Sequence, residues 1–338
     1  MKTKAYLREF LQNGTARKEK FPNFDTPMLA TLTKDYFDDP EWIYERKLDG
    51  IRGLVYKKEK NVRLLSRNEQ DLGATFPEIR EAASALSEED FIADGELVTF
   101  DKRVSSFSRL QDRLPIRDNP SEAVTSPKVY LYIFDLLFYH DVSVEKVPLL
   151  GRKSLLRKGF TWSDPFRLTA YRREAGKKFL QEACQKGWEG LIAKNENSTY
   201  THGRSRQWLK FKCTNGQELV IGGFSEPRGE RIGFGALLVG YYSHGKLQYA
   251  GKVGTGFDDE FLGKWREKLD RIASSKSPFE NFSNDRNGRY HWVQPKYVGE
   301  FSFMEWTDKN KLRHPSFLGI RYDKHPREVK KESADENS

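Results

Sequence analysis

Apolar and polar positions alternate in short runs between Trp42 and Phe211, at Ile43 to Arg46, Gly53 to Lys57, Val62 to Ser66, Phe91 to Phe100, Val129 to Tyr139 and Gly190 to Lys194. A period of two predicts half-buried β-strands. Helical periodicity interrupts them twice, at Phe76 to Leu86 and at Ala175 to Lys186, the second followed by Gly187 as a stop signal. Without regular strand and helix alternation, the pattern predicts an α+β fold with largely antiparallel sheets. The residues up to 23 mix charge with a few apolar positions and support only a short helix or an ordered N-terminal arm.

After Cys213 the pattern changes. Thr214-Asn215-Gly216 reads as a turn, followed by strands at Glu218 to Phe224, Leu237 to Tyr242, Leu247 to Val253 and Gly299 to Trp306. Ser243-His244-Gly245 is a hairpin turn, and one helix is expected from Asp258 to Ile272. Several strands with a single helix suit a small Greek-key barrel of the OB type. A length of 338 residues also predicts two domains. The expected division is an arm over 1–23, a larger domain over 24–213, the barrel over 214–327 and a disordered polar tail over 328–338. The loop 274–289 is read as a connection.

The formal charge of +9 suggests a polyanionic partner, nucleic acid ahead of membrane, although a modest basic surplus also serves solubility. Nothing in the first residues resembles a secretory signal or a membrane span. Cys184 and Cys213 are the two cysteines, and free thiols in a cytoplasmic protein are the expectation. Six scattered histidines and two distant cysteines give no zinc-ligand spacing, so any catalytic metal should be a hard cation, Mg2+ or Mn2+.

Glu45-Arg46-Lys47-Leu48-Asp49-Gly50-Ile51-Arg52 ends a predicted strand and enters a turn, which presents Lys47 at an exposed strand end. Taken alone, K-x-D-G also describes a surface lysine in a hairpin turn. The segments that follow in order change the weighing: Ser66-Arg67-Asn68, Asp94-Gly95-Glu96, Phe134-Asp135-Leu136, Glu189 to Lys194, Trp208 to Lys212, and Arg313 to Phe317 with Arg321 to Lys324. From Phe24 to Lys324 the arrangement resembles the covalent nucleotidyltransferases, and within them the compact ATP-dependent DNA ligases.

That resemblance implies ATP as donor, nicked double-stranded DNA as partner, and Lys47 as the nucleophile that takes AMP within the Lys47 to Gly50 motif, including Asp49. An unperturbed lysine has a pKa of about 10.4, so neighbouring cations and bound metal must favour the free amine; Lys210 and Lys212, on one face of a strand, fit that need and are expected to neutralise the α-phosphate. Glu189 is the implied metal contact, with Lys194 at the far end of the same strand. Glu45 is expected to read the adenine amino group, Glu96 a ribose hydroxyl, and Phe134 the adenine face; otherwise Phe134 is an ordinary core aromatic. Arg52 is placed near the nucleotide, and Arg67, with Arg206, on the 5′-phosphate of the nick. Arg313, Arg321 and Lys324 reach the β- and γ-phosphates only if the barrel closes over the nucleotide. An RNA ligase or a GTP-using capping enzyme shares much of this pattern, and a non-catalytic OB module is the alternative from another class. A monomer is expected.

Overall fold

The computed structural model describes residues 2–87, 90–110, 113, 127–213, 215–227, 229–283 and 289–332. The chain divides into two units after Cys213. Among the described residues no helix is long and apolar enough to cross a membrane.

Among its described residues the first unit holds two large sheets and a two-stranded one, Phe100–Asp101 with Val104–Ser105. In one, Asn61–Leu65, Ile51–Lys58, Phe91–Val98, Tyr130–Tyr139, Val142–Ser143 and Arg17–Lys18 lie side by side and antiparallel, with Phe166–Leu168 added parallel to Tyr130–Tyr139. The other runs in the order Tyr171–Arg173, Trp42–Arg46, Gly190–Asn195, Gly203–Lys212 and Met28–Leu32, its last pair parallel. Tyr130–Tyr139 is apolar almost throughout because it is covered on both faces. Leu131, Ile133 and Leu136 join a core with the helices Lys2–Gln12, Pro77–Ala85 and Leu149–Gly159, whereas Phe134 and Leu137 join another with Met28, Tyr200 and Trp208.

The N-terminal residues are more than a surface arm. Leu7 and Phe10 of Lys2–Gln12 are buried in the same core as Leu155 and Leu156, and Arg17–Lys18 extends the sheet. Helix Leu149–Gly159 was not expected, because it turns Arg152 and Lys153 inward along with its leucines and so breaks the apolar stripe.

Helix Gly176–Gln185 lays Phe179, Leu180 and Ala183 on Tyr44, Leu191 and Phe211. It ends at Gly187, whose φ of +70° few other residues tolerate. Trp188 N–H donates to the Ala183 carbonyl at 2.9 Å and Gly187 N–H to that of Cys184 at 3.0 Å, the two bonds of a Schellman cap. The cap delivers the chain directly to Glu189.

The free-thiol expectation is corrected: Cys184 and Cys213 form a disulfide, with Cα atoms 5.3 Å apart. Cys184 sits in the last turn of this helix and Cys213 directly after strand Gly203–Lys212, where its N–H donates to the Glu189 carbonyl at 3.0 Å. Proximity of this kind comes from packing and leaves no mark in sequence spacing.

In the second unit, Lys246–Val253, Leu237–Ser243, Asn215–Ser225, Tyr290–Phe303 and Ala273–Ser274 form one antiparallel sheet, and Ser316–Ile320 also pairs with Tyr290–Phe303. Asn215 and Gly216 belong to a strand paired with Phe303 and Ser302, where a turn was expected. Helix Asp259–Asp270 begins with Asp258 accepting from Phe261 N–H at 2.8 Å and buries Leu262, Trp265 and Leu269. Within the 274–289 loop Phe279 is buried, and residues 284–288 lie outside the described ones. The expected disorder from 328 is corrected as far as 332. Val329 is buried, its carbonyl accepts from Tyr242 N–H at 2.7 Å, and Gln217 bonds both the Lys330 carbonyl and the Glu332 N–H. The rest of that tail, 333–338, lies outside the described residues.

Candidate active site

Strand Trp42–Arg46 ends one residue before Lys47, whose N–H still donates to the Gly190 carbonyl at 2.9 Å. This register sets Lys47 beside Glu189, and its Nζ lies 2.6 Å from each carboxylate oxygen. Gly190 is required there: a Cβ would stand 2.0 Å from the Phe211 carbonyl oxygen. The turn itself is held from Ser105 and Phe107. Ser105 Oγ accepts from Asp49 N–H at 3.0 Å, and Phe107 N–H donates to the Asp49 carboxylate at 3.1 Å. Gly50 allows strand Phe91–Val98 to approach, since a Cβ there would be 2.1 Å from the Leu97 carbonyl oxygen. Asp49 therefore shapes the turn, and Ser105 and Phe107, which no motif pointed to, complete it.

Burial alone would push the Lys47 ammonium down, and Lys212 adds to that, but the Glu189 carboxylate outweighs both and leaves the pKa raised. Lys47 is thus held as a charged ammonium by Glu189. Lys210 and Lys212 stand opposite Ile192 and Gly190 in the neighbouring strand. Glu96 faces Arg52 across the ladder and adds its negative charge to the fields at Lys47 and Arg52.

Arg52 meets Asp94 through two hydrogen bonds of 2.5 Å and donates a third to the Met28 carbonyl at 3.0 Å. Tyr200 Oη donates to the same carboxylate at 2.7 Å. The Arg52 guanidinium lies 4.7 Å from the Phe134 ring centroid, and Phe134 packs edge-on against Trp208 at 5.9 Å.

Glu45 is buried and shared by two ammonium groups: Lys153 pairs with Oε1, and Lys194 lies 2.7 Å from Oε2. Lys194 also sits 3.9 Å from the Trp208 ring centroid and 4.2 Å from that of Phe134. Burial pushes its pKa down to about 8, with Lys153 contributing and Glu45 opposing. Beneath it, Arg152 forks onto Asp135 at 2.6 and 2.8 Å, both side chains fully buried. Sequence reading missed Arg152 and Lys153. Arg46, one residue before Lys47, stacks 4.4 Å from the Trp188 ring centroid and borders a cavity of about 250 Å³ with Leu48, Tyr132 and Thr169.

Lys47, Glu45, Arg52, Glu96, Phe134, Glu189, Lys194, Lys210 and Lys212 all belong to the first unit, as do Arg67, in the turn closed by Ser66 and Gln70, and exposed Arg206. In the second unit Arg321 is held by Asp323 at 2.8 and 2.9 Å and by Glu300 at 3.3 Å, and Lys324 by Glu218 at 2.9 Å. Arg313 pairs with Glu305 at 2.6 Å on the surface.

Residues 27–212 match the family model of the ATP dependent DNA ligase domain, and residues 230–324 that of the ATP dependent DNA ligase C terminal region. The chain belongs to the ATP-dependent DNA ligases. It is 36% identical over 319 residues to the multifunctional non-homologous end joining protein LigD of Pseudomonas aeruginosa, covering 92% of this chain and 37% of that protein. To LigD of Mycobacterium tuberculosis H37Rv the identity is 36% over 325 residues, covering 94% and 41%. The chain thus spans about two-fifths of the length of these curated relatives. Among solved structures, a mycobacterial DNA ligase D complexed with ATP and MES matches with a TM-score of 0.65 and 32% identity, over 90% of this chain and 97% of that one. In this ligase, therefore, a nucleotidyltransferase domain of mixed α+β structure precedes an OB-fold-type domain.

The donor chemistry of the ligase site fits a hard divalent cation. Among the described residues no group of three or more His, Cys, Asp or Glu side chains could cage a metal. Glu189 offers carboxylate oxygens next to Lys47, which suits Mg2+ held by one carboxylate and by substrate phosphate oxygens.

Proposed function

We propose that this ligase seals nicks bearing a 5′-phosphate and a 3′-hydroxyl in double-stranded DNA, as a monomer, with ATP and Mg2+ or Mn2+. The observation that carries the reading is the Lys47–Glu189 pair, with Lys212 near enough to act on the same amine.

Three in-line displacements at phosphorus follow. The Lys47 amine attacks the α-phosphorus of ATP, an N–P bond forms, and the bond to pyrophosphate breaks. The 5′-phosphate oxygen of the nick then attacks the same phosphorus and releases Lys47. Last, the 3′-hydroxyl attacks the 5′-phosphorus, its proton leaves to solvent, and AMP departs. A cation held by Glu189 and phosphate oxygens would neutralise charge at the α-phosphate. For the first step Lys47 must lose its proton. Turning the Glu189 charge toward another partner leaves burial and Lys212 acting on the amine, and both favour its neutral form. Lys210 and Lys212 supply fixed positive charge for the α-phosphate. Glu45 and Phe134 read the adenine, Glu96 the ribose, with Arg52 and Lys194 beside them. Arg67 and Arg206 take the 5′-phosphate. A role for Arg321 and Lys324 on the β- and γ-phosphates requires that they exchange Asp323 and Glu218 for those phosphates.

The test is incubation of the full chain with α-labelled ATP or GTP and Mg2+, then with nicked DNA or nicked RNA. An ATP adduct lost in Lys47→Ala, with AMP chased onto nicked DNA, is expected. A GTP-only adduct, or transfer to RNA alone, would overturn the reading. The names of the LigD relatives extend the proposal to end joining, so sealing of cohesive and blunt ends should be measured beside nicks.

A further inference from the structure

We infer that Lys153 is a positioning residue for nucleotide selection, holding the Glu45 carboxylate and the Phe134 backbone in one fixed relation. The inference rests on the reading that Glu45 and Phe134 meet the adenine.

Lys153 lies on helix Leu149–Gly159, outside every ordered motif. Its Nζ donates to the Phe134 carbonyl at 3.1 Å and pairs with Glu45 Oε1. Lys153 is 4% exposed and Glu45 2% exposed, so water does not substitute for either contact. One ammonium thus spans the two groups expected at the edge and at the face of the base. The helix beneath it is itself anchored. Arg152, the preceding residue, bonds both Asp135 oxygens and the carbonyls of Val147 and Ser198 at 2.5 and 2.9 Å, which fixes the point from which Lys153 reaches.

Without Lys153 the Glu45 carboxylate keeps Lys194 alone, and Lys194 is also drawn to the rings of Trp208 and Phe134. A glutamate has three side-chain torsions, and a buried carboxylate held at one oxygen swings toward its remaining cation. The acceptor geometry offered to an amino group then degrades, while Lys47, Glu189, Lys210 and Lys212 keep their places. The consequence falls on nucleotide affinity and on discrimination between an amino and an oxo group at that edge. The rate of the chemical step is spared.

The experiment uses the full chain as Lys153→Met, Lys153→Gln, Glu45→Gln and the Lys153→Met/Glu45→Gln double variant. It measures KM and kcat for self-adenylation with ATP and Mg2+, the preference for ATP over GTP, and Tm as a folding control. Lys153→Met should raise KM for ATP about tenfold, the factor that 1.4 kcal/mol represents. Its kcat should stay within about threefold, a change of under 1 kcal/mol in the barrier, and its ATP preference should narrow. The double variant should be worse than Glu45→Gln alone by much less than tenfold, because Lys153 acts mainly through Glu45 and only in part through the Phe134 carbonyl. A folded Lys153→Met with unchanged KM, or a double variant whose effects multiply, overturns the inference while leaving the role of Glu45 standing. An unchanged KM in Glu45→Gln overturns both. If neither Lys153→Met nor Lys153→Gln is folded at the assay temperature, Lys153 serves stability alone and the inference fails.

Discussion

Arg52 and Asp94, diagonal neighbours on adjacent strands, share two parallel hydrogen bonds of 2.5 Å, with the Asp94 side chain wholly buried. Burial disfavours the guanidinium charge, yet the Asp94 carboxylate more than offsets it and raises the Arg52 pKa. Each charge is the other's main compensation, with the Met28 carbonyl and Glu96 acting on Arg52 and Tyr200 on Asp94 to a lesser degree. Asp94→Asn keeps the shape and removes that compensation, and Tyr200 loses its charged acceptor at the same time. A loss of about 3–5 kcal/mol is expected, the range for breaking a buried pair. Chemical denaturation of wild type and variant measures it, and a difference below about 1 kcal/mol, the value of an exposed pair, would contradict it.

Glu189→Gln should act on Lys47 in two opposite senses. With the carboxylate charge removed, burial and Lys212 dominate the amine and lower its pKa, so labelling of Lys47 by an amine-reactive reagent at pH 8 should speed up. Adduct formation from ATP should fall by about 10²-fold, the scale for losing an electrostatic contact to the transition state. Peptide mapping of the labelled lysine, run beside the adenylation assay, separates the two effects.

Gly50→Ala pushes a methyl group to 2.1 Å from the Leu97 carbonyl oxygen, a backbone atom that cannot rotate away. The turn bearing Asp49 must shift, and with it the Lys47 backbone. A destabilisation of about 1–3 kcal/mol is expected, as for overpacking, together with loss of self-adenylation. Full adenylation activity in a soluble Gly50→Ala variant would show that the turn tolerates movement.

His202 carries the pH dependence. Its ring faces Glu145 at 3.3 Å and bonds the Thr26 carbonyl at 2.9 Å. The hydrogen bond the ring donates to Glu145 is the main cause that raises its pKa to about 9 from the usual 6.5. A raised pKa means that the charged form stabilises the fold. The contribution is complete below pH 6.5 and is lost as pH rises through about 9. Because the ring is partly exposed, screening limits it to about 1 kcal/mol. Unfolding free energies at pH 6 and pH 9.5 should differ by this amount more in wild type than in His202→Gln.

The strands and the chemical motifs were legible because each rests on local pattern. Trp42–Arg46 and Gly190–Asn195 show alternation, and Lys47, Asp94, Glu189 and Lys212 stand in ordered short motifs. What escaped depends on partners distant in sequence. Helix Leu149–Gly159 hides its stripe because Arg152 and Lys153 occupy core-facing positions, and those charges are tolerated only through Asp135 and Glu45. The Cys184–Cys213 bridge depends on how one helix lies over one strand end. The Lys47–Glu189 ion pair escaped for a similar reason, since its members stand 142 positions apart in the chain.

Among the buried ionic groups around Glu45, three cations, Lys153, Lys194 and Arg152, stand with two carboxylates, Glu45 and Asp135. The set does not neutralise itself, and one member, Lys194, titrates near pH 8. The surplus cation is part of what pushes Lys194 down, and an anion placed beside the set would oppose that push.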